Sequence, residues 1–285
     1  MGAEDYGSSP LPVRTTRYLR PGRHSSPHQL SLPAEAPALV LAVPGAASPA
    51  SEAIAAETAA SAGSSCPGAT VVAGYLDGSE SRLSDVLGGL RSTDGRPPAV
   101  VIPLLICPYP EVDEQIAAAA AQAEVPILVA GHLGAHPFVA EAMHARLYEA
   151  GLARAGRSGR ISIASASDGF VVAAAGDAGA APQVAGVVAV LLASRLTAPA
   201  VPARLDDPAA LRHAAESLRA AQVTRVVLAP CVIGPEAPAE AMAAIAGQAG
   251  LECAPPLGGY PTIGQLVAIR YGAALEDPQL ADVSR

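Results

Sequence analysis

The chain repeats itself, and that repeat limits the possible folds more than any other feature. LVLAVPGAAS from Leu39 is matched by FVVAAAGDAG from Phe170, which puts Gly45 and Gly176 in the same place 131 residues apart. GYLDGSESRLSDVLGGLRS from Gly74 is matched by ARLDDPAALRHAAESLRAA from Ala203, offset 129, and VVIPLLICPYPEVDEQI from Val100 by VVLAPCVIGPEAPAEAM, offset 127 through Pro103 and Pro230. HLGAHP from His132 then meets PLGGYP from Pro256 at offset 124. Four collinear matches with slowly drifting offsets mark a duplicated unit. The units run over residues 37–155 and 165–285, joined where Arg, Gly and Ser cluster near Ala153–Ser167. Residues 1–36 stand outside the repeat and read as a disordered Pro/Ser/Arg-rich leader, with Arg14, Arg17, Arg20 and Arg23 forming a local positive patch.

Within a unit, short apolar runs alternate with longer Ala-rich stretches, the sequence form of βα units around a parallel sheet. The pattern predicts strands at Ala38–Val43, Thr70–Gly74, Ala99–Leu105 and Val125–Gly131. Helices fit Ser51–Ala62, Ser81–Leu90, Glu111–Ala123 and Pro137–Gly151, with Ser48 or Ser51 and Ser79 or Ser81 suited to N-cap positions. The expected fold is α/β: two tandem units, each a small parallel four-stranded sheet with helices on both faces, related by a pseudo-twofold axis.

Composition removes several function classes. All 18 basic residues are arginine against 26 acidic ones, a net charge of −8, so a broad phosphate-binding surface for nucleic acid is not expected. Without a lysine there is no phosphate-binding G-x-x-x-x-G-K-[ST], and neither G-x-G-x-x-G after a strand nor G-x-S-x-G occurs. No apolar run is long enough for a membrane span, and the N-terminus lacks a secretory pattern, so a cytoplasmic location is expected. Cys66, Cys107, Cys231 and Cys253 are too scattered for a metal ribbon and read as reduced, buried residues. Aromatic residues make up 3% of the chain, so a flat ligand finds few rings to stack on.

The first strand ends Ala42-Val43-Pro44-Gly45-Ala46 and the third Pro103-Leu104-Leu105, followed by Ile106-Cys107-Pro108-Tyr109-Pro110-Glu111-Val112. The fourth strand's loop is Leu133-Gly134-Ala135-His136-Pro137. In order and spacing these segments resemble the sirohydrochlorin chelatases, class II enzymes that insert cobalt or ferrous iron into a tetrapyrrole during cobalamin or sirohaem synthesis. The resemblance covers about Pro37 to Glu276. It implies a lyase with a tetrapyrrole substrate, Co²⁺ or Fe²⁺ as the metal substrate and no organic cofactor, and leaves the oligomeric state open.

The departures from that family fall on its chemistry. Its two motif histidines would bind the metal and accept the pyrrole protons; Pro44 and Glu111 stand in their places. Proline offers neither lone pair nor donor, whereas a carboxylate can ligate a divalent metal and take a proton. On the resemblance, Glu111, His132 and His136 are the candidate metal ligands, Glu111 and His136 the candidate catalytic pair, and Gly45 and Tyr109 the candidate substrate-binding residues. Parallel-sheet topology supports the grouping, since strand-end loops that bind ligands share one rim. The structural alternative is that His136 shapes the start of the helix at Pro137. In the second unit Asp177 reads as a helix cap, and Pro238 takes the place of Glu111. A relative that has lost catalysis and serves as a tetrapyrrole or metal binder, or as a structural or regulatory partner, is the second reading.

Overall fold

The computed structural model describes residues 30, 32, 36–91, 98–153 and 168–276. The predicted junction, apart from Ala153, and most of the leader lie outside the described residues.

The first unit runs β1 (Ala38–Ala46), α1 (Pro49–Ser65), β2 (Val71–Asp77), α2 (Leu83–Gly88), β3 (Ala99–Pro103), α3 (Pro110–Ala121), β4 (Leu128–Val129) and α4 (Pro137–Glu149). The second repeats it as β5 (Asp168–Ala174), α5 (Ala180–Leu196), β6 (Ala200–Arg204), α6 (Pro208–Ala220), β7 (Arg225–Pro230), α7 (Ala239–Ala249), β8 (Glu252–Cys253) and α8 (Pro261–Leu275). The sheets are ordered β2-β1-β3-β4 and β6-β5-β7-β8, and every pairing is parallel. Two α/β units of one topology are thus present, as the repeat implies.

Local chemistry explains the helix starts. Ser48 caps α1 in a reciprocal box with Ser51, ahead of Pro49, and Asp207 caps α6 ahead of Pro208. The serine cap expected for α2 is not formed: Arg82 makes an isolated bridge to Tyr75, so the helix starts at Leu83 with no side-chain cap. β2 runs past Gly74 because Tyr75 and Asp77 keep pairing with Val43 and Ala46. β4 shrinks to two residues because it is an edge strand, paired to Val100 and Val101 alone, and Pro126 lacks an N–H to extend it.

Side chains alternate along β1 as period two requires. Leu39, Leu41 and Val43 join the core shared with α1 and α4, whereas Val40 and Ala42 face α2 and α3. β5 does the same, with Phe170, Val172 and Ala174 inward and Val171 and Ala173 toward α6 and α7. The inward faces belong to one core, in which α1 packs on α8 and α4 on α5 and α8. The units therefore share a helical layer between their sheets. Small residues make that layer close: a Cβ on Gly264 would lie 2.5 Å from the Ser61 Cβ, and Ser61 Oγ donates to the Pro261 carbonyl at 2.7 Å. Leu30, at the end of the leader, is docked here, its N–H donating to the Ser65 carbonyl at 2.8 Å and its side chain lying over Gly272.

Candidate functional site

The C-terminal strand ends of both sheets carry the loops that hold the candidate residues. β1 ends through the buried Pro44 into Gly45, whose φ of 77° suits glycine and leaves open space where a Cβ would sit. The loop after β3 crosses to the other unit: the Asp177 N–H donates to the Pro108 carbonyl at 2.7 Å. A Cβ on Gly176 would come within 2.5 Å of that same oxygen and 3.2 Å of the Tyr109 ring, so only glycine admits this approach. The reciprocal loop after β7 meets α1, with Gly234 against Ile54.

Tyr109 lies at the centre of this junction. Its hydroxyl is buried without a hydrogen-bond partner, and burial, reinforced by the nearby Glu236 carboxylate, pushes the phenol up. Glu236, its counterpart 127 residues on, folds back to accept from the Ile233 and Gly234 N–H groups at 2.6 and 2.9 Å. It keeps some exposed area yet lies deep in the molecule, and that burial raises its carboxyl although the loop amides partly offset it. Cys107 and Cys231 sit nearby, fully enclosed; burial pushes the Cys107 thiol up to about 12. Repeat arithmetic alone pairs Tyr109 with Glu236, but it carries no sign that either is buried. At the end of β6, Arg204 holds Asp206 through Nε and Nη2, leaving its buried Nη1 without a partner. Neither Arg204 nor Glu236 stood out in the sequence, because neither matches a motif.

The predicted residues divide. His132 Nε2 meets Asp113 Oδ1 at 2.7 Å, both partly exposed, so α3 and the loop after β4 join in a carboxylate–histidine pair on the first unit's rim. Glu111 is exposed in the first turn of α3, two residues before Asp113, where a negative charge suits the helix N-terminus. His136 is the N-cap of α4: its Nδ1 accepts from the Phe138 N–H at 3.1 Å, and its ring stands edge-on to Phe138. Burial, then the charge of Arg270, hold its imidazole below the ordinary value. One nitrogen of His136 is therefore committed to structure. The N-cap position of α5 is Gly179 and not Asp177, which lies two residues earlier; the Asp177 Oδ1 still accepts from the Gly179 and Ala180 N–H groups at 2.9 Å, and those bonds lower its carboxyl. Among the described residues no group of three His, Cys, Asp or Glu side chains is placed to hold a metal ion, so Glu111, His132 and His136 do not form a three-ligand centre.

The family model for CbiX matches residues 38–150, the whole of the first unit. The first unit is therefore similar to the CbiX family, and the match does not extend into the second unit. Solved structures agree on the fold. A multi-domain protein of Deinococcus radiodurans, described as structurally similar to chelatases, superposes with a TM-score of 0.58 at 18% identity over 85% of this chain, which spans 56% of that protein. The sirohydrochlorin chelatase SirB from Bacillus subtilis subspecies spizizenii, in complex with cobalt, gives 0.54 at 15%, covering 85% of this chain and 97% of SirB. CbiX, described as the terminal enzyme for siroheme biosynthesis in denitrifying bacteria, gives 0.55 at 18%, covering 84% and 99%. No curated protein matches the sequence. The two-unit architecture is thus that of the chelatase neighbours. Among the described residues no helix is long and apolar enough to cross a membrane.

Proposed function

We propose that this chain, whose first unit is similar to the CbiX family, binds a tetrapyrrole between the strand-end rims of its two units and inserts a divalent metal into it. The observation that carries the reading is the CbiX match over residues 38–150 within an architecture that spans nearly the full length of a sirohydrochlorin chelatase and of a terminal enzyme of siroheme biosynthesis. Insertion displaces two pyrrole protons, so the site needs acceptors. On this reading His132, oriented by Asp113, and Glu111 are those acceptors on the first unit's rim, with His136 limited to its Nε2. The metal substrate, Co²⁺ or Fe²⁺, is captured chiefly by the macrocycle's own nitrogens, with Glu111 and His132 as passing protein donors. Cobalamin or sirohaem synthesis in the cytoplasm is the setting this chemistry fits.

A second reading has its own observation. The buried Pro44 stands where the resemblance expects a histidine, and the described residues hold no three-ligand group. A tetrapyrrole or metal binder without catalysis fits both facts. Anaerobic incubation with sirohydrochlorin and Co²⁺ or Fe²⁺, followed by the metallation spectrum, separates the two. A rate above the spontaneous one that falls at least tenfold in Glu111→Ala or His132→Ala supports insertion. Binding of the pigment without acceleration leaves the binder.

A further inference from the structure

Tyr109 Oη and Arg204 Nη1 are the only two buried side-chain polar atoms without a hydrogen-bond partner among the described residues, and they flank one turn. Tyr109 comes from the first unit and packs its ring against Gly176. Arg204 comes from the second unit, paired with Ala174 immediately before that turn, and the Leu205 N–H donates to the Ala174 carbonyl at 2.8 Å. Coincidence is a poor account of two such atoms beside one turn, since a buried unsatisfied donor costs about 1–3 kcal/mol. Both atoms carry a hydrogen to give, and one belongs to a cation. What they lack is an acceptor, and in particular an anionic oxygen.

The neighbours narrow the ligand. Asp206 occupies the other two guanidinium positions and offsets its charge, while Asp177 is committed to the start of α5. What remains unfilled beside the turn is two buried donors with little net charge, which suits one oxygen of a single carboxylate and not a phosphate dianion. Resting on the tetrapyrrole reading, we infer that Tyr109 and Arg204 form a carboxylate-docking notch, in which one acidic side chain of the macrocycle accepts from Oη and Nη1 together. The contact spans both units, so it orients the ligand relative to the pseudo-twofold axis. The second unit, which lacks the motif residues, thereby supplies recognition.

The test uses uroporphyrin, a metal-free octacarboxylate, and its octamethyl ester, read by absorbance titration of the full chain. Arg204→Met weakens octacarboxylate binding about tenfold and Tyr109→Phe about three- to tenfold, while neither changes ester binding. Tyr109→Phe keeps the ring over Gly176, and Arg204→Lys serves as a second variant that keeps the charge without the second arm; thermal melts check that each is folded. Equal octacarboxylate affinity in wild type and all three variants overturns the notch while leaving the tetrapyrrole reading intact. If the wild type binds neither porphyrin, the tetrapyrrole reading fails, and glutarate titrated against ¹⁵N-arginine-labelled protein decides the notch by itself. A saturable shift of the Arg204 Nε resonance, assigned by its loss in Arg204→Lys, supports it, and no shift overturns it.

Discussion

Arg146 and Arg270 are repeat counterparts, 124 residues apart, and each crosses to the other unit to donate to the carbonyl of a matched leucine. Arg146 Nε reaches the Leu257 carbonyl at 3.0 Å, and Arg270 reaches Leu133 through Nη2 at 2.6 Å and Nε at 3.2 Å. The glycine after each leucine, Gly134 at φ 68° or Gly258 at φ 63°, turns the loop so that the guanidinium lies against its backbone; a Cβ would come within 3.1 and 2.5 Å of it. This exchange ties the fourth-strand loop of each unit to the last helix of the other.

Arg146→Met and Arg270→Met should each destabilise the chain by about 1.5–3 kcal/mol, the worth of a hydrogen bond to a charged donor. Urea unfolding followed by circular dichroism measures the loss. A shift in midpoint below a few tenths of a kcal/mol for both would mean that the reciprocal contact is not holding the units together.

Glycines in the shared helical layer should respond in opposite ways to those outside it. Gly264→Ala brings a Cβ to 2.5 Å from the Ser61 Cβ and 2.8 Å from the Thr58 carbonyl oxygen, so α8 must move off α1 at a cost of about 1–3 kcal/mol. Gly247→Ala, exposed in α7 with nothing within 4 Å, should stabilise by about 0.4–1 kcal/mol. Paired thermal melts read both signs at once.

Glu236 should make stability fall with rising pH. Its folded-state carboxyl is raised above the ordinary 4.5, chiefly by burial, so the folded chain holds that proton more tightly than the unfolded one. The contribution is fully present below the ordinary value and is lost as pH climbs through the raised one. Comparing unfolding free energies from pH 4 upward in the wild type and Glu236→Gln isolates the effect: the variant should lack this downward slope, and parallel curves would contradict it.

The thiols should be inert in the folded state. Burial pushes Cys66 and Cys107 up to about 12 and raises Cys231 well above its ordinary value, while Cys253 reaches about 11 and is partly exposed. At pH 8 Ellman's reagent should leave Cys66, Cys107 and Cys231 untouched and modify Cys253 slowly, with all four reacting after denaturation. Rapid native labelling of Cys107 would show that the junction between the units opens.

Apolar runs and the Ala-rich stretches between them were enough to read the elements: the run at Leu39–Val43 is buried in β1, Pro stands in the first turn of α1, α3, α4, α6 and α8, and the matched segments recur as matched elements. The candidate site was legible only in part. His132 does lie on the strand-end rim, but its partner is Asp113, and His136 is spent on a helix cap. Motif reasoning follows residue types that carry chemistry; whether an imidazole faces a ligand or its own helix depends on a side-chain rotation that sequence does not encode locally.

By itself the sequence determined two α/β units of one topology, since hydrophobic period and turn residues act over a few neighbours and were written twice. Only the tertiary structure decided that the units share one helical layer, that Arg146 and Arg270 are exchanged between them, and that Tyr109 and Arg204 flank a single turn with unfilled donors. Those relationships join residues about a hundred or more positions apart. They come from packing two apolar faces against each other, and the geometry of that contact, not the residue types on either side, places each polar atom beside a partner or leaves it without one.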